Sequence, residues 1–226
     1  MYIAVSITGQ TLDQALKDIE VAEKKQPDIL ELRIDFMQDL SESALDKLIA
    51  ACSLPVIVTN RHKSEAGPDP RAGFDGPEEQ RIAYLQQAIA LGAEHIDIEA
   101  CHYHASHYSP SDKRKTNLIV SYHDFIQTPE RLIDMYKAIQ RRVKKTAIIK
   151  FATQANTPED VRRMMELIEY ANAQHTPIIG ICMGELGRET RLHRGNYLTF
   201  ACLSEEQASA GGQYTVEQIR EKLAKR

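Results

Sequence analysis

Eight short runs rich in Ile, Val and aromatic residues recur along the chain, starting near Tyr2, Asp28, Pro55, His95, Asn117, Thr146, Pro177 and Tyr197. Helix-like sequence follows them, at 11–25, 41–52, 77–91, 129–144, 157–174, roughly 185–194 and 215–225, with a His-rich segment at 101–114 left unassigned. Alternating strands and helices demand parallel pairing through right-handed crossovers, and eight such units close most simply into a (β/α)8 TIM barrel of the α/β class. A doubly wound open sheet is the second choice. Thr128-Pro129-Glu130, Thr157-Pro158-Glu159 and Gly76-Pro77-Glu78 read as helix starts, with proline at the first helical position. A length of 226 residues without a linker-like stretch fits one barrel, so residues 1–226 are expected to form a single domain.

Composition narrows the function classes. A formal net charge of −4 argues against nucleic acid as a partner, because phosphate binding leaves a basic footprint. The basic run Arg141-Arg142-Val143-Lys144-Lys145 reads as a solvated helix end. No apolar run approaches the ~18–20 residues that span a bilayer, so no membrane partner is expected. The start, Tyr2-Ile3-Ala4-Val5-Ser6-Ile7, is strand-like rather than a signal peptide, which makes cytoplasmic residence the expectation. Cys52, Cys101, Cys182 and Cys202 show no Cys-x-x-Cys pairing and are expected to be reduced and mostly structural.

Side-chain parity brings out the chemistry. In the second run Leu30, Leu32 and Ile34 share one face and Glu31, Arg33 and Asp35 the other; in the fourth, Ile96 and Ile98 oppose His95, Asp97 and Glu99. Helices cover the apolar faces, so the polar sets must point into the barrel. Buried charges need partners or an open site, and a barrel's open site lies at the C-terminal strand ends. The candidates there are Arg33, Arg61, Glu99, His123, Lys150 and Met183.

Lys150 in Ala147-Ile148-Ile149-Lys150-Phe151-Ala152 shares its parity with Ile148 and so points inward. A buried primary amine can give up its charge and attack a carbonyl, forming a Schiff base; a stem lying on apolar surface with a solvated ammonium is the plain alternative. His123 ends the neighbouring run and suits proton transfer. Glu65, in the loop opened by Arg61-His62-Lys63-Ser64-Glu65, could orient a histidine, while Arg61 could bind oxygen. His102-Tyr103-His104-Ala105-Ser106-His107 matches no strong metal motif and reads as polar helix surface. The Gly180, Gly184, Gly187 spacing is a weak phosphate signal that better suits a tight strand exit.

Across essentially its whole length the chain resembles type I 3-dehydroquinate dehydratase, the Schiff-base enzyme of the shikimate pathway. The resemblance rests on Glu31-Leu32-Arg33-Ile34-Asp35, Arg61-x-x-x-Glu65, Ser121-x-His123-Asp124-Phe125, Ile149-Lys150, Thr190-Arg191-Leu192 and Ala208-Ser209-Ala210-Gly211-Gly212-Gln213, in that order. It implies that Lys150 forms an imine with the C3 ketone of 3-dehydroquinate. It implies that His123 removes a C2 proton and assists loss of the C1 hydroxyl as water, held by Glu65. It makes Arg191 the carboxylate-binding arginine and Ser6, Glu31, Arg33, Arg61, Ser209 and Gln213 contacts to substrate oxygens. It implies a lyase with no cofactor and no metal, acting as a homodimer, and without the dehydrogenase fused to the plant relatives. In the last loop the family often has a proline where this chain carries glycine. A class I aldolase for a phosphorylated sugar and a non-catalytic metabolite-binding barrel are the competing expectations; the first needs a phosphate site and the second no covalent chemistry.

Overall fold

The computed structural model describes residues 1–104, 116–143, 146–208 and 210–225. Ser209, Lys144, Lys145 and most of the His-rich segment lie outside the described residues. The elements run β1 (Tyr2–Ile7), α1 (Leu12–Lys24), β2 (Ile29–Arg33), α2 (Glu42–Ala51), β3 (Val56–Thr59), α3 (Glu78–Leu91), β4 (His95–Glu99), β5 (Asn117–Asp124), α4 (Leu132–Gln140), β6 (Ile148–Gln154), α5 (Pro158–Ala173), β7 (Ile178–Met183), β8 (Leu198–Cys202), β9 (Tyr214–Thr215) and α6 (Val216–Ala224). Each of the eight expected strands begins within two residues of its sequence signal. Strands β1 to β7 pair in chain order, all parallel, and β8 lies against the other edge of β1.

Strand alternation divides the apolar residues into two cores, as parity requires. Leu30, Leu32, Ile96, Ile98, Ile149 and Phe151 face outward and pack with Ile19, Leu45, Leu48, Leu85 and Leu167 from the helices. Ala4, Ile29, Ile57, Ile119, Ile148, Ile179 and Leu198 fill the barrel floor. Above that floor the inward positions turn polar: Ser6, Glu31, Thr59, Asp97, Ser121 and Lys150 are all buried. The TIM barrel thus has a dry base and a charged upper half, where its C-terminal strand ends open.

Among the described residues the barrel closes with a single backbone bond and a side chain standing in for a strand. Tyr197 N–H donates to Ile178 O at 2.7 Å across the β7/β8 seam. Next to it the buried Asn196 amide accepts from Gly180 N–H at 2.7 Å and donates to Gly180 O at 3.2 Å and Thr190 O at 3.0 Å. Both backbone groups of Gly180 that a paired strand would satisfy are satisfied by one amide, which also ties down the turn at Thr190.

Two helix expectations are corrected. The stretch 185–194 contains a short 3-10 turn, Arg188–Leu192, instead of an α-helix. Gly184, at φ +82, reverses the chain, and Thr190 Oγ1 ties it back by accepting from Cys182 N–H and donating to Gly187 O. That tight return keeps Arg191 directed into the barrel, which a full helix would carry away. Thr128 does not cap α4: its buried hydroxyl lies 2.8 Å from Thr153 Oγ1 and donates to Gln154 O at 2.8 Å, so the helix starts at Leu132. Thr157 behaves as read, with a capping box to Asp160 and Pro158 in the first turn.

Asn196→Ala is expected to lower unfolding free energy by about 2–4 kcal/mol, since it strands buried N–H and C=O groups at the seam. Equilibrium denaturation checks this, and a wild-type midpoint would show that the seam does not depend on the amide.

Candidate active site

The polar upper half opens into a cleft of about 520 Å³, its mouth included, lined from β1, β2, β5, β6, β7 and β8 and from the loops after β3, β5, β7 and β8. Of the residues singled out from sequence, Lys150, His123, Glu65, Ser6, Glu31, Arg33, Arg61, Arg191 and Gln213 all line it. Ser209 alone lies outside the described residues.

Lys150 sits at mid-height on β6, in register with Ser121 of β5. His123 is the next inward position of β5, about 7 Å further toward the open end by strand rise. The Lys150 Nζ donates to Asp97 Oδ2 at 2.8 Å and lies 4.2 Å from the centre of the Phe200 ring. An amine in this position faces one carboxylate and one aromatic face, with only 5% of the residue exposed. Its solvated alternative is thereby ruled out.

Asp97 is bound from the other side as well. Arg61 Nη2 donates to Asp97 Oδ1 at 2.9 Å, and Ser121 Oγ donates to the same oxygen at 2.6 Å. Burial opposes ionisation of Asp97, but Arg61 and Lys150 outweigh it and hold the carboxyl well below the usual carboxylate range. Arg61 Nη1 donates at 2.8 Å to Glu99 Oε1, whose second oxygen accepts from Arg81 Nη1 at 2.7 Å. Burial likewise disfavours the Arg61 cation, and Asp97 and Glu99 override it, pushing its pKa up. The guanidinium of Arg61 is therefore occupied with carboxylates beneath the cleft.

His123 is positioned by Glu65 through two bonds. Glu65 Oε2 accepts from the His123 backbone N–H at 2.9 Å and lies 3.2 Å from Nδ1. With Nδ1 donating to the carboxylate, Nε2 carries the lone pair that can take a proton. Burial, with Arg61 and Lys150 nearby, holds the His123 pKa well below 6.5 and keeps the ring neutral. Burial also pushes the Glu65 pKa up, partly offset by Arg61. The Phe125 ring stacks near the imidazole, 6.4 Å between centres.

The cleft's walls differ in charge. Arg191 is 1% exposed, and among the described residues no carboxylate pairs with it; its Nη2 donates to Gly211 O at 3.2 Å. Burial lowers its pKa to about 10, so the guanidinium stays charged and suits an anion. Arg33 is gripped by Asp35, with bonds of 2.9 and 2.8 Å, and its guanidinium carbon lies 4.7 Å from the Phe36 ring centre. Two positions before Arg33 on the same face of β2, Glu31 accepts from Ser6 Oγ at 2.5 Å and Thr59 Oγ1 at 3.0 Å. The final loop is clasped to the β7 exit: Gly184 N–H donates to Gly211 O at 3.2 Å. Gly212 has φ +77, and a Cβ there would stand 2.7 Å from Gly184 O, so this loop position requires glycine.

Three contributors were missed by sequence reasoning. Asp97 was read as an inward residue but not as the partner of Lys150, because a β4–β6 contact has no local signature. Arg81 sits on a helix, and its burial under Glu99 cannot be read from periodicity. Cys101 Sγ donates to Glu65 Oε1 at 3.3 Å, which adds a thiol to the Glu65–His123 pair. Cys182 is structural as expected, buried beside Thr128 and Thr153.

Asp97→Asn leaves Arg61 and Lys150 facing a neutral amide and is expected to cost about 3–5 kcal/mol of stability. Urea unfolding at neutral pH measures it; an unchanged midpoint would contradict the network's role.

Comparison with known proteins gives a consistent result. Residues 3–226 match the family described as type I 3-dehydroquinase. The 3-dehydroquinate dehydratase of Desulfotalea psychrophila is 33% identical over 226 residues, covering 96% of this chain and 95% of that protein. The Methanococcus vannielii 3-dehydroquinate dehydratase is 34% identical and covers 98% of both. The crystal structure of 3-dehydroquinate dehydratase from Geobacillus kaustophilus superposes with a TM-score of 0.87 at 26% identity, covering 99% of this chain and 90% of that one.

Proposed function

The chain belongs to the type I 3-dehydroquinase family, and from that premise we propose how its own residues carry out the dehydration of 3-dehydroquinate to 3-dehydroshikimate. The protein is a hydro-lyase of the shikimate pathway that works through a Schiff base. The observation that carries the residue assignment is the convergence of a buried amine, a neutral buried imidazole and an arginine unmatched by any described carboxylate on one cleft.

The Lys150 ammonium, paired with Asp97, lends a proton to His123 and attacks the C3 ketone as the free amine; that proton returns as the carbonyl oxygen departs as water, leaving a protonated imine. Asp97 and Phe200 hold Nζ on the cleft side of β6 and favour that cation. The imine makes the C2 proton acidic. His123 Nε2 takes it, and the electron pair enters the enamine; Glu65 accepts from Nδ1 and stabilises the imidazolium that results. The enamine then expels the C1 hydroxyl, which leaves as water with the proton returned by His123. Hydrolysis of the conjugated imine restores Lys150, so the net change is loss of one water.

Arg191 holds the substrate carboxylate by charge-assisted bonds. Glu31, Ser6, Arg33 and Gln213 recognise hydroxyl oxygens, joined by Ser209 from the final loop. Arg61 lines the same wall and, with its donors on Asp97 and Glu99, acts mainly by fixing the carboxylate that holds Lys150. Neither a metal nor an organic cofactor has a step in this scheme. Cytoplasmic residence and a single domain over 1–226 complete the proposal, with a homodimer as the family resemblance implies; sedimentation giving the mass of one chain would remove the dimer.

Borohydride added during turnover is expected to attach a ligand-sized mass to Lys150, and Lys150→Ala to show none. His123→Ala is expected to lose turnover, followed by enone absorbance, while still trapping imine; full activity in that variant would overturn the base assignment. The pH profile follows from the sign of the His123 shift. A pKa held below 6.5 keeps the base neutral into mildly acidic solution, so the acid limb of kcat/KM due to His123 falls below pH 6.5. A limb from this group above 6.5 would contradict the buried, cation-flanked ring.

A further inference from the structure

Outside the cleft, three donors from three separate elements come together. His62 follows β3, Glu78 opens α3 and His102 follows β4; one ligand atom from each lies within 4.8 Å of the others. The rings of His62 and His102 face one another with centres 4.2 Å apart and a tilt of 32°, and His102 Nδ1 is 3.6 Å from Glu78 Oε1. None of the three lines the catalytic cleft.

The cluster is held in place by groups already described. Glu99 accepts from the His62 backbone N–H at 2.9 Å through its side chain and from the His102 backbone N–H at 3.0 Å through its carbonyl. Arg81, bonded to Glu99, also grips both oxygens of Glu78 at 2.7 Å. The pair Arg81 and Glu99 therefore anchors His62 and Glu78 through side chains and His102 through the Glu99 carbonyl. His62 Nδ1 accepts from the Ser64 backbone N–H at 3.1 Å, with Ser64 Oγ 2.8 Å away, so Nε2 carries the ring proton; an ion bound at Nε2 would displace that proton.

The donors also suit a cation electronically. A carboxylate has about four lone-pair sites, so Glu78 can keep its Arg81 fork and still offer an oxygen. Two imidazoles and a carboxylate form a donor set that binds borderline divalent ions, with water completing a tetrahedron. Donor separations in such a site are about 3.3 Å, so rotations that move the side-chain tips by roughly an ångström would close it.

We propose that His62, Glu78 and His102 form a binding site for a borderline divalent cation of the Zn2+ type, on the outer rim beside the Arg81–Glu99 pair and separate from catalysis. The His-rich segment read from sequence as polar surface contributes His102 to it. A bound ion links the exits of β3 and β4 to the start of α3, and so stiffens the wall that carries Arg61 and Glu65.

The test uses the full chain after chelator treatment, titrated with Co2+ and followed by visible ligand-field absorption, then displaced with Zn2+. One equivalent of Co2+ with tetrahedral bands is expected, together with a higher Tm in Zn2+. His62→Ala and His102→Ala should each weaken binding at least about tenfold, the scale seen for losing even an outer partner of a metal site. His175→Asn, an exposed histidine elsewhere, should bind as wild type. Absence of binding in wild type, equal binding in both alanine variants, or loss in the His175 variant would each overturn the proposal. None of these readouts depends on turnover.

Discussion

The placement of the reactive amine depends on Asp97. It is a buried carboxylate with Lys150 on one oxygen and Arg61 and Ser121 on the other. Burying such a group without partners would cost several kcal/mol, so the cations and the carboxylate are admitted only together. Arg61 extends the arrangement to Glu99, and Glu99 to Arg81 and Glu78 at the surface. Alternating charges thus reach from the reactive amine to the rim without leaving a buried charge alone.

The network constrains position more than it adds stability. A buried ion pair contributes little over a well-packed apolar pair of the same volume, yet removing one member is severe. Its effect is to fix where Nζ sits; burial keeps the His123 ring neutral, aided by Arg61 and Lys150 and opposed by Asp97. Glu65 is fixed separately, by two bonds to His123 and one from Cys101. The amine and the base therefore have independent supports, and either can be perturbed without displacing the other.

The fold supplies this site by breaking its own regularity in two places. The β7 exit returns in a short turn rather than a helix, which directs Arg191 inward, and the last loop is pinned over it through Gly184 and Gly211. Asn196 closes the seam where strand pairing lapses. Both departures lie between β7 and β9, on the side of the cleft assigned to the carboxylate and hydroxyls. A regular seventh unit would have left Arg191 on a helix surface.

Strand order, parity and the inward set Glu31, Arg33, His123 and Lys150 were legible because alternation is a local property: a period of two decides which face a residue occupies before any partner is known. The motifs around Arg61, Glu65, Arg191 and Gln213 were legible as a family pattern. What the sequence could not show was pairing. That Lys150 meets Asp97, that Cys101 meets Glu65, and that Thr128 turns inward rather than capping α4 depend on which strands become neighbours and how far each is staggered. The sequence by itself determined which residues face the barrel axis. Only the tertiary structure decided which charges touch, because a hydrogen bond is a matter of ångströms between elements tens of residues apart, and closure of the barrel sets those distances.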